Sequence, residues 1–184
     1  MSPAEQLCLA CGLCCDGTLF DNVRLEPADD ARQLKALGLP VTVSRGKAPI
    51  TTFSQPCAAL CQDRTCRVYA SRPKQCRTYE CAVFKGMQAG ELTPAAALRR
   101  VTNARRQADR VRRLLRQLGD TEEHRSLGER FHRMQCRMEG NPADAAALAT
   151  FADLSLAVHR LKLLAHAKFH IREPADRGRE NPGP

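Results

Sequence analysis

Between Thr93 and Ala165 the apolar positions recur at helical intervals. Ala97, Val101, Ala104, Ala108, Val111, Leu115 and Leu118 follow one another in alternating steps of four and three, a spacing that winds one apolar seam along a helix. Thr93 stands where an N-cap belongs, Pro94 at the first helical position, and Gly119 just past the last apolar residue. A second stripe, Leu127, Phe131, Met134 and Met138, predicts a helix that opens at Asp120 or Thr121, carries Glu122 and Glu123 in its first turn and closes at Gly140. Asn141 and Pro142 predict the cap and first position of a third helix, with Phe151, Leu154, Val158, Leu161 and Ala165 along its apolar face. Connections this short join antiparallel neighbours, so residues 91–170 are read as a helical hairpin or three-helix bundle.

Residues 1–90 carry no such period. Pro27–Leu37 reads as a short helix with Pro27 at its first position, ended by Gly38 and Pro40. Phe20–Leu25 and Val41–Val43 read as short strands. Residues 171–184 are charged and rich in Pro and Gly, which predicts a disordered tail. The expected fold class is α-rich with minor, irregular β: a metal-nucleated cysteine module followed by the bundle.

Composition explains why the first region needs something besides a core. The 184-residue chain is 43% hydrophobic, but it has no Trp and only 4% aromatic residues. Ten cysteines are present, and nine of them lie between positions 8 and 81. The start, Met1 to Gln6, has no basic segment followed by an apolar one, and no apolar run approaches the ~18 residues of a membrane span. A cytoplasmic location is expected, where persistent disulfides are rare. The cysteines are therefore read as metal ligands. The net charge of +9 favours an acidic partner, a protein or nucleic acid.

The first cysteine group is Cys8-x2-Cys11-Gly12-x-Cys14-Cys15. Three cysteines at the same interval resemble the start of a cluster-binding loop. Adjacent side chains at Cys14 and Cys15 diverge, so both act as ligands most easily in a polynuclear site or in two sites. The second group is Cys57, Cys61, Cys66, Cys76 and Cys81. One zinc ion or one cubane takes about four thiolates, so nine exceed the needs of a single centre. Either two centres exist, or some cysteines play another part. A set of four thiolates around a divalent ion carries excess negative charge and needs nearby cations or N–H donors. Arg72 and Arg77, beside Pro73 and Cys76, are the candidate supports.

These residues carry a resemblance. Cys8-x2-Cys11-Gly12-x-Cys14-Cys15, Cys57, and Cys66-x2-Tyr69-x2-Arg72-Pro73-x2-Cys76-Arg77-x-Tyr79-x-Cys81 are similar to the YkgJ-like CxxCxxCC family of zinc- or iron-chelating proteins, which includes flagellin lysine N-methylases. The resemblance covers roughly residues 5–86. It implies that Cys8, Cys11, Cys14, Cys15, Cys57, Cys66 and Cys76 are metal ligands, with Cys81 matching one branch of the pattern. Cys61 has no assigned counterpart. The implied cofactor is an iron–sulfur cluster, preferred for its compact cysteine run, or Zn2+. The expected role of the bound metal is electron transfer, redox sensing or cluster handling. The alternatives are a lysine-methylating enzyme, implied by the resemblance alone, and a zinc-stapled adaptor whose basic helix binds nucleic acid or an acidic protein.

Other signals are weaker. No nucleotide-binding or zinc-hydrolase string occurs. His132 and Cys136 are spaced as a ligand pair, yet Cys136 lies opposite the apolar stripe and reads as a small packing residue. His159, His166 and His170 share a polar helix face without acidic or thiol companions. Eight arginines between Arg99 and Arg116 crowd one helix. No aromatics interleave with them, which removes the stacking half of a single-strand site and makes nucleic acid the weaker partner. They read instead as the wet face of the seam.

Overall fold

The computed structural model describes residues 2–45, 48–140 and 144–170. The expected tail at 171–184 and the Asn141–Pro142 cap lie outside the described residues. The elements run α1 (Pro3–Cys11), β1 (Asn22–Arg24), α2 (Ala31–Ala36), β2 (Thr42–Val43), β3 (Thr51–Ser54), α3 (Lys74–Thr78), α4 (Ala82–Gln88), α5 (Pro94–Gln117), α6 (Leu127–Gly140) and α7 (Ala145–Lys168). The chain is α-rich with one small antiparallel sheet, ordered β1-β3-β2. Val23 pairs with Phe53, and Thr42 with Thr52. No described helix is long and apolar enough to cross a membrane.

The long helices follow their pattern. Thr93 caps α5 through the Ala96 amide, with Pro94 in the first turn, and Ala97, Val101, Ala104, Ala108, Val111 and Leu115 are all buried. Leu127 and Met134 of α6 and Leu154, Val158 and Leu161 of α7 complete the bundle core with the last three of these. Phe131 and Phe151 stack nearly parallel, 6.1 Å apart, at its edge.

Two helix starts differ from expectation. α6 begins at Leu127, because the hydroxyl of the buried Ser126 accepts the Glu129 amide. Asp120 is drawn instead into a buried ion pair with Arg130 at 2.7 Å, and Glu122 and Glu123 pair with Arg125 and Arg116 across the turn. α2 begins at Ala31, because the Asp30 carboxylate accepts the Gln33 amide. Pro27 falls in the preceding turn, which the Asp29 carboxylate closes by accepting the Glu26 amide.

Four elements go beyond the expected set, α3 among them. α1 is opened by Ser2 and Glu5 in a reciprocal capping box, with Pro3 in the first turn. β3 is the central strand of the sheet, formed by the Thr51-Thr52-Phe53 run. α4 is capped by the Cys81 sulfur, which accepts the Phe84 amide at 3.4 Å.

Besides the bundle there are two smaller cores. One lies on the sheet and holds Val23, Leu25, Leu34, Leu39, Val41, Phe53, Ala59 and Val68. The other joins the two regions: Leu13 and Val83 pack against Ala97, Val101 and Ala104 of α5 and against Phe169 beyond α7. Cys57, Cys66 and Cys76 border the first of these cores, and Cys11 and Cys81 the second.

Candidate metal centre

α1 carries Cys8 and Cys11 on its last turn, three residues apart and so on one face. Gly12 ends the helix in the left-handed region (φ +69°), and a Cβ there would stand 3.1 Å from the Arg64 guanidinium. The chain then turns. The Asp16 amide bonds back to the Gly12 carbonyl, Leu13 is fully buried, and Cys14 and Cys15 follow in the turn. The Cys57 amide donates to the Cys15 carbonyl at 2.7 Å, tying the two cysteine groups together. A bridge between Leu60 and Cys66 folds the second group back on itself. α3, which carries Cys76, is fastened to β1 because Gln75 accepts the Arg24 amide at 2.7 Å.

Cys8, Cys11, Cys14, Cys15, Cys57, Cys66, Cys76 and Cys81 all line one cavity of about 320 Å³. Cys61 is off its wall, in the turn where its amide meets the Thr65 carbonyl. Cys136 is exposed on α6, its sulfur 3.9 Å from His132 Nε2, away from that cavity. All ten cysteines are free thiols. Among the described residues, no three Cys, His, Asp or Glu side chains stand at the spacing of a closed metal site.

Arginines fix the loop. Arg64 Nη1 reaches the Cys11 carbonyl and Asp16 Oδ2, each at 3.1 Å. Arg105 of α5 donates to the Cys11 carbonyl at 2.6 Å and also to the Ala10 carbonyl, satisfying the end of α1. Arg112 pairs with Asp16 at 3.2 Å and donates to its carbonyl and to Thr18. Thus two of the eight arginines read as a wet face turn inward and hold the Cys11–Asp16 turn. Asp16, Arg105 and Arg112 are the site residues that the sequence pattern did not mark. The buried carboxylate has no periodic signature, and its partners are 48 and 96 residues away.

Arg72 lies with its guanidinium 3.6 Å from the centre of the Tyr69 ring and donates to the Tyr69 and Cys76 carbonyls. Its charge favours the thiolates of both Cys8 and Cys76. Arg77 is exposed and lines the cavity mouth. His159 and His166 are exposed on α7, and His170 meets the Phe20 ring edge-on.

Burial favours the protonated thiol at Cys8, Cys11, Cys14, Cys15, Cys57 and Cys76. Burial raises Cys11 to about 11 and Cys15 and Cys76 to about 12, from an ordinary 9.0. Burial also raises Cys14 well above that value, and Cys8 and Cys57 more modestly. Neighbouring sulfurs reinforce the effect, because each disfavours a second negative charge nearby. Two buried polar atoms beside the cavity have no hydrogen-bond partner, Tyr79 Oη and Gln55 Oε1. Burial, then Cys14 and Cys81, raise the Tyr79 phenol. Soft thiol donors at this density, with an unused hydroxyl among them, fit a thiophilic metal better than a hard cation.

A family model described as "CxxCxxCC: Putative zinc- or iron-chelating domain" matches residues 7–113, more than half of the chain. The chain belongs to the CxxCxxCC family. The CxxCxxCC domain runs past the expected limit near residue 86 and takes in most of α5, including Arg105 and Arg112. The helix that clamps the cysteine loop is therefore within the domain. No curated protein and no solved structure matches the chain.

Proposed function

We propose that this protein chelates metal through the cysteines of its CxxCxxCC domain, and that the bound group is an iron–sulfur centre serving electron transfer, redox sensing or cluster handling. One observation carries the reading: eight cysteines from segments more than forty residues apart line a single cavity in a chain of a zinc- or iron-chelating family. The run Cys8, Cys11, Cys14 with a remote Cys81 supports iron–sulfur over zinc, because three cysteines at two-residue gaps followed by a distant fourth is a cluster-loop arrangement. Structural zinc more often draws its thiolates from separate pairs. When bound, such a group supplies a one-electron couple. The chain's own residues bind it through sulfur, offset its charge through Arg72, and hold the loop through Arg64, Arg105 and Arg112.

Metal and sulfide analysis of anaerobically purified protein, with its visible spectrum, tests this reading. Cys11→Ser and Cys76→Ser are expected to lower bound metal and soluble yield, and Cys136→Ser to change neither. Colourless protein with stoichiometric zinc would move the assignment to zinc. Equal metal loss in all three variants would overturn the ligand assignment.

A further inference from the structure

We propose that metal draws the thiols lining the cavity into two separate four-thiolate centres, one from Cys8, Cys11, Cys14 and Cys81 and the other from Cys15, Cys57, Cys66 and Cys76, which meet at the Cys14–Cys15 peptide. This rests on the reading above that these thiols hold metal, and it specifies how they are divided.

Packing separates the two sets. Cys11 and Cys81 border the core built around Leu13 and Val83, whereas Cys57, Cys66 and Cys76 border the sheet core built around Phe53. The backbone divides the same way: Cys8 and Cys11 share the last turn of α1, with Cys14 one further step along the run, while the Cys15 carbonyl holds the Cys57 amide.

Chain geometry explains the division. α1 packs on α4, and the sulfur that caps α4 is Cys81, so Cys81 is delivered to the end of α1 beside Cys8 and Cys11. Cys15 is turned to the other set by its carbonyl, which is fixed on the Cys57 amide. A cysteine run whose last member serves the neighbouring centre is an established solution for holding two clusters close together. Here the crossover needs no spacer: Cys14 continues the run from α1, while its neighbour Cys15 is tied through its carbonyl to Cys57. Arg72 donates to the Cys76 carbonyl and lines the cavity with Cys8, so one cation stands beside both sets. Tyr79, two residues before Cys81 on the cavity wall, gives the first set a hydroxyl neighbour. The two centres therefore have unlike surroundings and should differ in spectrum.

The test is metal per chain in the full-length, anaerobically purified protein, read with electron paramagnetic resonance and visible spectra. Cys8→Ser and Cys81→Ser form one pair of variants, Cys57→Ser and Cys76→Ser the other. Each single variant is expected to fall to about half of wild-type loading, the pairing of two within one set to fall no further, and a pairing across sets to lose nearly all. The spectra of the two half-loaded proteins should differ and sum to that of the wild type. Where one variant of a set fails to fold, the other of that set carries the comparison, Cys8→Ser being the mildest because Cys8 is exposed. Loss of all metal from single variants of both sets, or full loading without either whole set, would overturn the division into two centres. Wild-type protein that binds no metal would instead defeat the proposed function.

Discussion

In the bundle of α5, α6 and α7 the buried positions are almost all aliphatic, and they repeat with the helix: Ala108, Val111 and Leu115 meet Leu127, Met134, Leu154 and Leu161. Around the cysteines the cores are smaller, and sulfurs stand at their edges. What closes that region is a set of particular bonds: Cys57 to the Cys15 carbonyl, Gln75 to Arg24, Asp16 to Arg64 and Arg112. The contrast teaches that one half of the chain is stabilised by area removed from water, which tolerates local change. The other depends on a few contacts that must all be made. The regions are nevertheless joined, because Leu13 and Phe169 share a core with Val101, and because α5 supplies two of the arginines that grip the cysteine turn.

The largest effect that would break this comparison is metal removal. Chelation or thiol blocking should unfold the cysteine region while α5–α7 stay largely helical. Metal–thiolate bonds would close loops of more than forty residues between Cys15 and Cys57, and losing them returns that closure entropy to the chain. The bundle keeps its own buried seams. Far-UV circular dichroism should retain most of its helical signal, with limited proteolysis cutting before about residue 90. Complete loss of helix would show that the shared Leu13–Phe169 core makes the chain one cooperative unit.

A smaller change sharpens the same contrast at the seam. Asp16→Asn leaves the shape of the turn but removes the charge that Arg64 and Arg112 share. Arg64 then loses its ionic acceptor and Arg112 keeps only Asp109, a cost on the order of 1–3 kcal/mol. The expected result is faster metal release to a competing chelator, with the denaturation midpoint of the bundle nearly unchanged. Unchanged release would show that Arg105, on the Ala10 and Cys11 carbonyls, suffices to hold the loop.

The bundle was legible in the sequence because periodic burial is a local pattern. Every seam residue from Ala97 to Leu115 is buried where its spacing placed it. The start of α6 was misread because Asp120 and Ser126 are both good caps by type, and only the tertiary pairing with Arg130 decides between them. α1 carried a readable signal in Ser2-Pro3-Ala4-Glu5, which the nearby cysteines overshadowed. Of the site, the cysteines were legible by spacing, since thiols at this density have few other uses. Their supports were not. Arg105 and Arg112 look like any other arginine on α5 until the turn they grip is folded against them, and Tyr79 and Gln55 are marked only by lacking a partner.

The finest comparison is whether the cysteine region stays closed once metal is gone, and proton competition reports on it. A thiol must lose its proton to bind metal, so apparent affinity rises with pH until the metal-free thiols are themselves ionised. If the region opens on stripping, the thiols titrate near their ordinary 9.0, and affinity should level off there. If it stays closed, Cys11 holds its proton to about 11 and Cys15 and Cys76 to about 12, so the rise should continue toward those values. Above pH 9 the linkage favours opening. Folded values raised above the unfolded one stabilise the closed metal-free form fully below pH 9, and that stability is lost as pH climbs through 11 and 12, because the open chain gives up its protons first. Chelator-buffered titrations from pH 7 upward, run beside the bundle's circular dichroism signal, separate the cases. We expect levelling near 9 with the helical signal intact. A rise that continues past 10 would mean that the small cores and the arginine clamps close the cysteine region without metal.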